Sequence, residues 1–263
     1  MKSVLSVVAL VALGACSDQI HLGSVLPAPD ASYALDALDA LDATPAPLYW
    51  FADHETGDLS QWAQGTSSDQ IVSADAQLTV VNSPTHSGRF AVRSAIYAAT
   101  RTSYARLFRA GNLPNDAYFR VWMYIKQNFT IGQYWNVFEF QGRTDPATPS
   151  SYVYLWSLDL KQASSGDMSW YLYDTPRARN VPTATIVAPI GRWFLVEAFM
   201  HQATDNTGQV TFWIDGNLLV DVTGVSTVPT MWLSWNVGGS ASNIAEEPAE
   251  IFLDDAAIAP TGP

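Results

Sequence analysis

Period-two alternation constrains this chain more than any other feature. In Phe119-Arg120-Val121-Trp122-Met123-Tyr124-Ile125, one face carries Phe119, Val121, Met123 and Ile125, and the other Arg120, Trp122 and Tyr124. Successive side chains of a strand point to opposite sides, so such a run buries one face and leaves the other outside. Runs of the same kind recur at 134–141, 152–160, 168–173, 193–201, 209–214, 230–237 and 250–258. Polar turn clusters at 112–116, 164–167 and 205–208 separate them, and Asp215-Gly216 marks a tight hairpin. No stretch sustains a long 3.6-residue apolar period, so a helical core is excluded. The expected class is all-β: a two-sheet antiparallel sandwich forming one domain over 49–260.

With the apolar sides turned inward, several sets face out. They are Arg120, Trp122 and Tyr124; Glu139 with Gln141, continued by Arg143; Tyr152 with Tyr154 and Trp156; and Trp232 with Asn236. Exposed aromatic clusters mark binding surfaces. Flat rings suit sugar faces, while Arg, Gln, Asn and Glu suit hydroxyl and carboxylate groups. A polysaccharide on one aromatic, arginine-lined concave sheet is the expected ligand. Arginines concentrate between Arg89 and Arg143 in a chain of net charge -12. A ligand met by them would be anionic, whereas the overall acidity speaks against nucleic acid. A monomer is expected.

The N-terminus has a different character. Lys2 and the short apolar run 4–13 have the layout of a signal peptide over 1–15. Leu13-Gly14-Ala15-Cys16 resembles the lipobox of bacterial lipoproteins, which implies lipidation of Cys16, the sole cysteine. Residues 16–48 carry Pro27, Pro29, Pro45, Pro47 and a short Ala-Leu-Asp repeat. They are expected to form a flexible linker with a reach of roughly 30 Å. The membrane would then be met only through the Cys16 lipid, in the cell envelope. Ser17 at the next position favours the outer membrane.

Several strings together resemble the concanavalin A-like lectin, glucanase and polysaccharide-lyase jelly rolls. Residues 51–62 are similar to the opening strand, and His86-Ser87-Gly88-Arg89-Phe90-Ala91-Val92 to a turn and the strand after it. Gly191-Arg192-Trp193 and the stretch 208–216 are similar to paired strands, and 250–258 to the last strand. The resemblance implies a structural Ca²⁺ held by Glu55 and by Asp254 or Asp255, with a carbonyl near Gly88; hard oxygens suit that ion. It implies no organic cofactor.

The resemblance leaves the activity open. Glycoside hydrolysis wants a pair of carboxylates, and neither Phe138-Glu139-Phe140-Gln141 nor Ser157-Leu158-Asp159-Leu160-Lys161 supplies a second acid. β-Elimination from a uronate wants a neutralised carboxylate and a base. The corresponding strings are Arg101 to Arg106, Gln141-Gly142-Arg143 and Trp232 to Gly238, each departing from the lyase pattern. Tyr104 or Tyr154 would act as base, with Gln141 and Arg101 or Arg143 at the carboxylate. Gly238-Gly239-Ser240-Ala241-Ser242 reads as a loop, not a nucleophile elbow. The four histidines show no metal-ligand spacing. The leading expectation is a tethered polysaccharide-binding lipoprotein. The alternatives are a polysaccharide lyase and an envelope lipoprotein without ligand.

Overall fold

The computed structural model describes residues 48–64, 69–97 and 102–262. The expected signal peptide, Cys16 and the linker up to residue 47 lie outside the described residues, as does Arg101. In chain order the strands are β1 (Trp50–Ala52), β2 (Gln70–Val72), β3 (Ala76–Val81), β4 (Ala91–Ile96), β5 (Ser103–Gly111), β6 (Asp116–Ile125), β7 (Ile131–Arg143) and β8 (Tyr152–Gln162). They continue with β9 (Met168–Asp174), β10 (Arg179–Val181), β11 (Trp193–His201), β12 (Gly208–Ile214), β13 (Asn217–Val225), β14 (Leu233–Ile244) and β15 (Ala249–Ala259).

They form two antiparallel sheets. The first runs β13-β12-β11-β6-β15-β4-β3, with β1 beside β15; the second runs β10-β9-β8-β7-β14-β5-β2. Aromatic rings fill the space between them. Phe119 of the first sheet meets Phe140 at 5.0 Å and Trp235 at 5.5 Å, and Phe212 meets Phe138 at 5.4 Å. Each such ring contributes roughly 1.5–3 kcal/mol by leaving water, and the edge-on contacts add directionality. The alternation of β6 holds along its length, with Phe119, Val121, Met123 and Ile125 buried. Asp215 and Gly216 take φ of 49° and 73°, the left-handed pair that a two-residue hairpin between β12 and β13 requires.

Two local expectations fail. Gly238 to Ser242 are not a loop but the middle of β14, hydrogen-bonded to β5 and β7 on either side. A central sheet position supplies backbone partners that outweigh the loop preference of Gly and Ser. In the stretch 51–62 only its start is strand. Beyond Ala52 the chain turns and ends in a short 3-10 helix, Ser60–Trp62.

β7 and β8 each carry one extra residue. Asn136 pairs with Asp159 and Phe138 with Leu158, so Val137 is a bulge. Phe140 pairs with Trp156 and Gln141 with Tyr154, so Leu155 is a second bulge on the partner strand. A bulge resets which residues face out. Val137 and Leu155 both turn into the core.

Candidate active-site cleft

The outward face of the second sheet forms a cleft of about 690 Å³. β5 contributes Tyr104 and Arg106; β7 Asn136, Glu139 and Gln141; β8 Tyr152, Tyr154, Ser157 and Asp159; and β9 Tyr171 and Tyr173. The two bulges make this set possible. Asn136 and Glu139 are three apart, as are Tyr154 and Ser157, a spacing that would put them on opposite faces of a regular strand.

A hydrogen-bonded row crosses the cleft floor. Arg106 donates through one terminal nitrogen to Asn136 Oδ1 and through the other to Glu139 Oε2 at 2.6 Å. Asn136 Nδ2 donates to Asp159 Oδ1 at 2.6 Å, and the Tyr171 hydroxyl reaches the same carboxyl. Besides Arg106, Glu139 accepts from two more groups, Gln141 Nε2 at 2.6 Å and Ser157 Oγ at 2.9 Å. Arg106 pairs in register with Gly238 of β14. Its hydrogen bonds to Asn136 and Glu139 carry the guanidinium across β14 to β7.

The electrostatics follow from burial. Asp159 is pushed up to about 6, first by desolvation, against the pull of its Asn136 and Tyr171 hydrogen bonds. Tyr171 is raised by desolvation and then by the neighbouring Asp159 charge. Tyr154 is raised by desolvation, with Tyr152 and Glu139 adding and Arg106 opposing.

The expected site residues divide. Tyr104, Glu139, Gln141 and Tyr154 do meet in the cleft. Arg143 faces the same way at one end of β7, with its guanidinium 4.0 Å from the Trp232 ring centroid. Asn236 pairs with Glu139 but is buried, and its amide donates to Ser234. Trp156 is not outward: the Leu155 bulge turns it into the core, where Nε1 donates to the Thr227 carbonyl at 3.3 Å. Arg120, Trp122 and Tyr124 share a face as expected, but that face belongs to the first sheet. Arg120 lies 3.6 Å from Glu197, Trp122 stacks on His86 at 3.8 Å, and Tyr124 packs between Trp193 and Phe252. Alternation tells inside from outside, not which of two sheets a strand joins.

The acids expected to hold calcium are taken up by hydrogen bonds. Glu55 Oε1 accepts from the Arg89 and Phe90 amides at 2.7 and 3.0 Å. Buried Asp254 accepts from the His86 and Asp255 amides at 2.9 Å each, and faces His54 Nδ1 at 3.3 Å. Asp255 engages His86 Nδ1 at 2.7 Å and Ser87 Oγ at 3.0 Å. Most of these oxygens are already engaged by protein donors. Among the described residues no group of three or more His, Cys, Asp or Glu could hold a metal.

Sequence reasoning missed Arg106, Asn136, Ser157, Asp159 and Tyr171 as a set. Arg106 stands two residues from Tyr104 on one strand face, which was a readable signal. The others needed the bulges.

A jelly-roll sandwich of the concanavalin A-like type, with a polar cleft across one sheet, defines a class shared by carbohydrate-active proteins. The chain belongs to the polysaccharide lyase family, whose model matches residues 54–238. Among solved structures it is similar to an endo-beta-1,4-glucuronan lyase from the fungus Trichoderma reesei, at 14% identity and TM-score 0.59, covering 82% of this chain and 96% of that one. It is also similar to an alginate lyase from Aplysia kurodai, at 13% identity and TM-score 0.51, covering 81% and 99%. A third is a carbohydrate esterase from the Shiga toxin-encoding bacteriophage phi24B, at 17% identity and TM-score 0.53, covering 81% and 98%. At these identities the likeness is one of fold alone. No curated protein matches the chain.

Proposed function

We propose that this protein is a lyase that cleaves a uronate-containing polysaccharide by β-elimination, working from a lipid tether at Cys16 in the cell envelope. The observation that carries the reading is the row Arg106–Asn136–Asp159–Tyr171 on the cleft floor of a chain in the polysaccharide lyase family. Elimination needs the substrate carboxylate relieved of its charge, so that the α-proton can be removed. Arg106 and the amide of Gln141 supply cationic and N–H character at one end of the row, and Asn136 links Arg106 to Asp159. Tyr171 supplies the base. Its phenol has a proton acceptor in Asp159, which distinguishes it from Tyr104 and Tyr154.

In the proposed step, the Tyr171 oxygen takes the α-proton as its own proton passes to Asp159. The carbon electron pair forms a double bond to the β-carbon, and the bond from that carbon to the glycosidic oxygen breaks. The proton held by Asp159 returns through Tyr171 to the leaving oxygen. Atoms and charge balance, and the products are an unsaturated uronate and a shortened chain. Glu139, accepting from Arg106, Gln141 and Ser157 together, positions those groups and is poorly placed to act as a glycosidase nucleophile.

The test is ultraviolet absorbance of the unsaturated product when the protein meets polyglucuronate, polymannuronate or polyguluronate. Absorbance should rise with one of them, and Tyr171→Phe should slow it about 10²–10⁴-fold, the usual size of a general acid–base contribution. No absorbance with any uronate polymer overturns the lyase reading.

A further inference from the structure

One end of the cleft carries a second arrangement that the chemistry above does not use. Arg143 closes β7 on the face of Glu139 and Gln141, and its register partner on β8 is Tyr152. Trp232 stands one residue before Leu233, which pairs with Gly142. Trp232, just before β14, therefore forms a row with Arg143 of β7 and Tyr152 of β8, parallel to the row through Glu139 and Ser157. Four residues of strand separate the two rows along β7, about 13 Å, which is more than one sugar ring.

Arg143 differs from most other arginines of the domain. Arg93, Arg106, Arg120, Arg177, Arg179 and Arg192 each lie against a carboxylate. Arg143 has no acidic partner among the described residues, in a chain of net charge -12. Its Nη1 donates to the Pro146 carbonyl at 3.0 Å, and its Nε is buried without a hydrogen-bond partner. The guanidinium lies on the Trp232 ring, a cation–π contact that holds a planar cation in place without neutralising it. Tyr152, half of it exposed, meets Tyr154 edge-on at 5.9 Å and continues the surface back toward the cleft floor. Such a site holds a guanidinium in place beside aromatic rings, with no acid among the described residues to neutralise it. That is the chemistry that recognises a carboxylate carried on a sugar.

We propose that Trp232, Arg143 and Tyr152 form a distal subsite that binds the carboxylate of a uronate residue remote from the bond being broken. The subsite rests on the proposed function for its ligand class, but binding tests it apart from catalysis. Calorimetry of the full chain carrying Tyr171→Phe, which spares the polymer, would use polyglucuronate, polymannuronate and polyguluronate and the methyl-esterified form of each. Arg143→Lys keeps the charge but loses the flat fork, and should weaken binding to the acidic polymer about tenfold. Binding to the methyl ester should be the same with and without Arg143→Lys. Trp232→Phe, which keeps a ring under the cation, should fall between the parent and Arg143→Lys, and a thermal melt of each variant establishes folding. Elimination with unchanged acidic-polymer binding in a folded Arg143→Lys protein overturns the subsite and leaves the lyase reading standing. Charge-dependent loss of binding without any elimination does the reverse. Failure of the Tyr171→Phe protein to bind any of the polymers overturns the subsite.

Discussion

Asp159 is the residue on which stability and chemistry pull in opposite directions. Its carboxyl is raised to about 6 in the fold by burial, above its ordinary value of 3.8. Between those two pH values the folded chain binds more protons than the unfolded one, so stability falls as pH rises through the window. The loss, complete above the folded value, is on the order of 3 kcal/mol. Asp159→Asn should therefore raise the melting temperature at pH 7–8 and match the parent below pH 4, a difference that melts across that range would measure. The same change should remove the proton acceptor of Tyr171. In the parent, kcat/KM should climb as pH passes about 6, and in Asp159→Asn that limb should vanish along with most of the rate. From sequence alone Asp159 stood as a solitary acid, because its partner Asn136 and the nearby acid Glu139 sit on another strand. Arg106 was visible as an arginine in step with Tyr104. Its acid was not, because a pair spanning two strands leaves no mark on the spacing of either.

At the scale of elements, what was legible was the alternation. β6, β11, β12 and β15 lie where their runs of period two place them, and Asp215-Gly216 forms the hairpin. What was not legible were departures from alternation, among them the Val137 and Leu155 bulges and the glycine-bearing centre of β14. Those departures build the cleft. Gly238 shows why. Its φ is +110°, and a Cβ there would stand 2.4 Å from the Ala105 carbonyl oxygen and 3.2 Å from Arg106 Cα. Gly238→Ala should cost about 2 kcal/mol or more through strain and β5 displacement. Because it pushes on the strand that carries Arg106, the variant should lose uronate cleavage out of proportion to its loss in denaturant midpoint. Activity equal to the parent in a folded Gly238→Ala protein would count against the crossing of Arg106 over β14 as the organiser of the site.

The whole molecule separates its two outer faces. One carries the cleft, and the other carries Trp122 stacked on His86 beside Trp193. Alternation read both faces as aromatic and polar, but strand order decides that they look in opposite directions. Trp122→Ala should leave polysaccharide binding and product absorbance at parental levels and lower stability by about 1–3 kcal/mol, from the lost stacking and burial. Weakened binding by that variant would return Trp122 to the ligand surface. The lipid tether is tested at the same scale. Cys16→Ser should abolish palmitate labelling and release the protein from the membrane fraction, and labelling equal to the parent would sink the anchor.

The paired bulges also govern how this domain can be inherited. From Asn136 to Gln141 and from Asp159 back to Tyr154, the two strands spend the same number of residues, because each holds one extra. A gene that lost the codon for Val137 alone would leave β7 in plain alternation, with Asn136, Glu139 and Gln141 still on the cleft face. Loss of the Leu155 codon alone would likewise leave Tyr154, Ser157 and Asp159 on one face of β8. Length changes at these two points should therefore be passed on independently of one another, and a lineage that carries one without the other should keep the cleft.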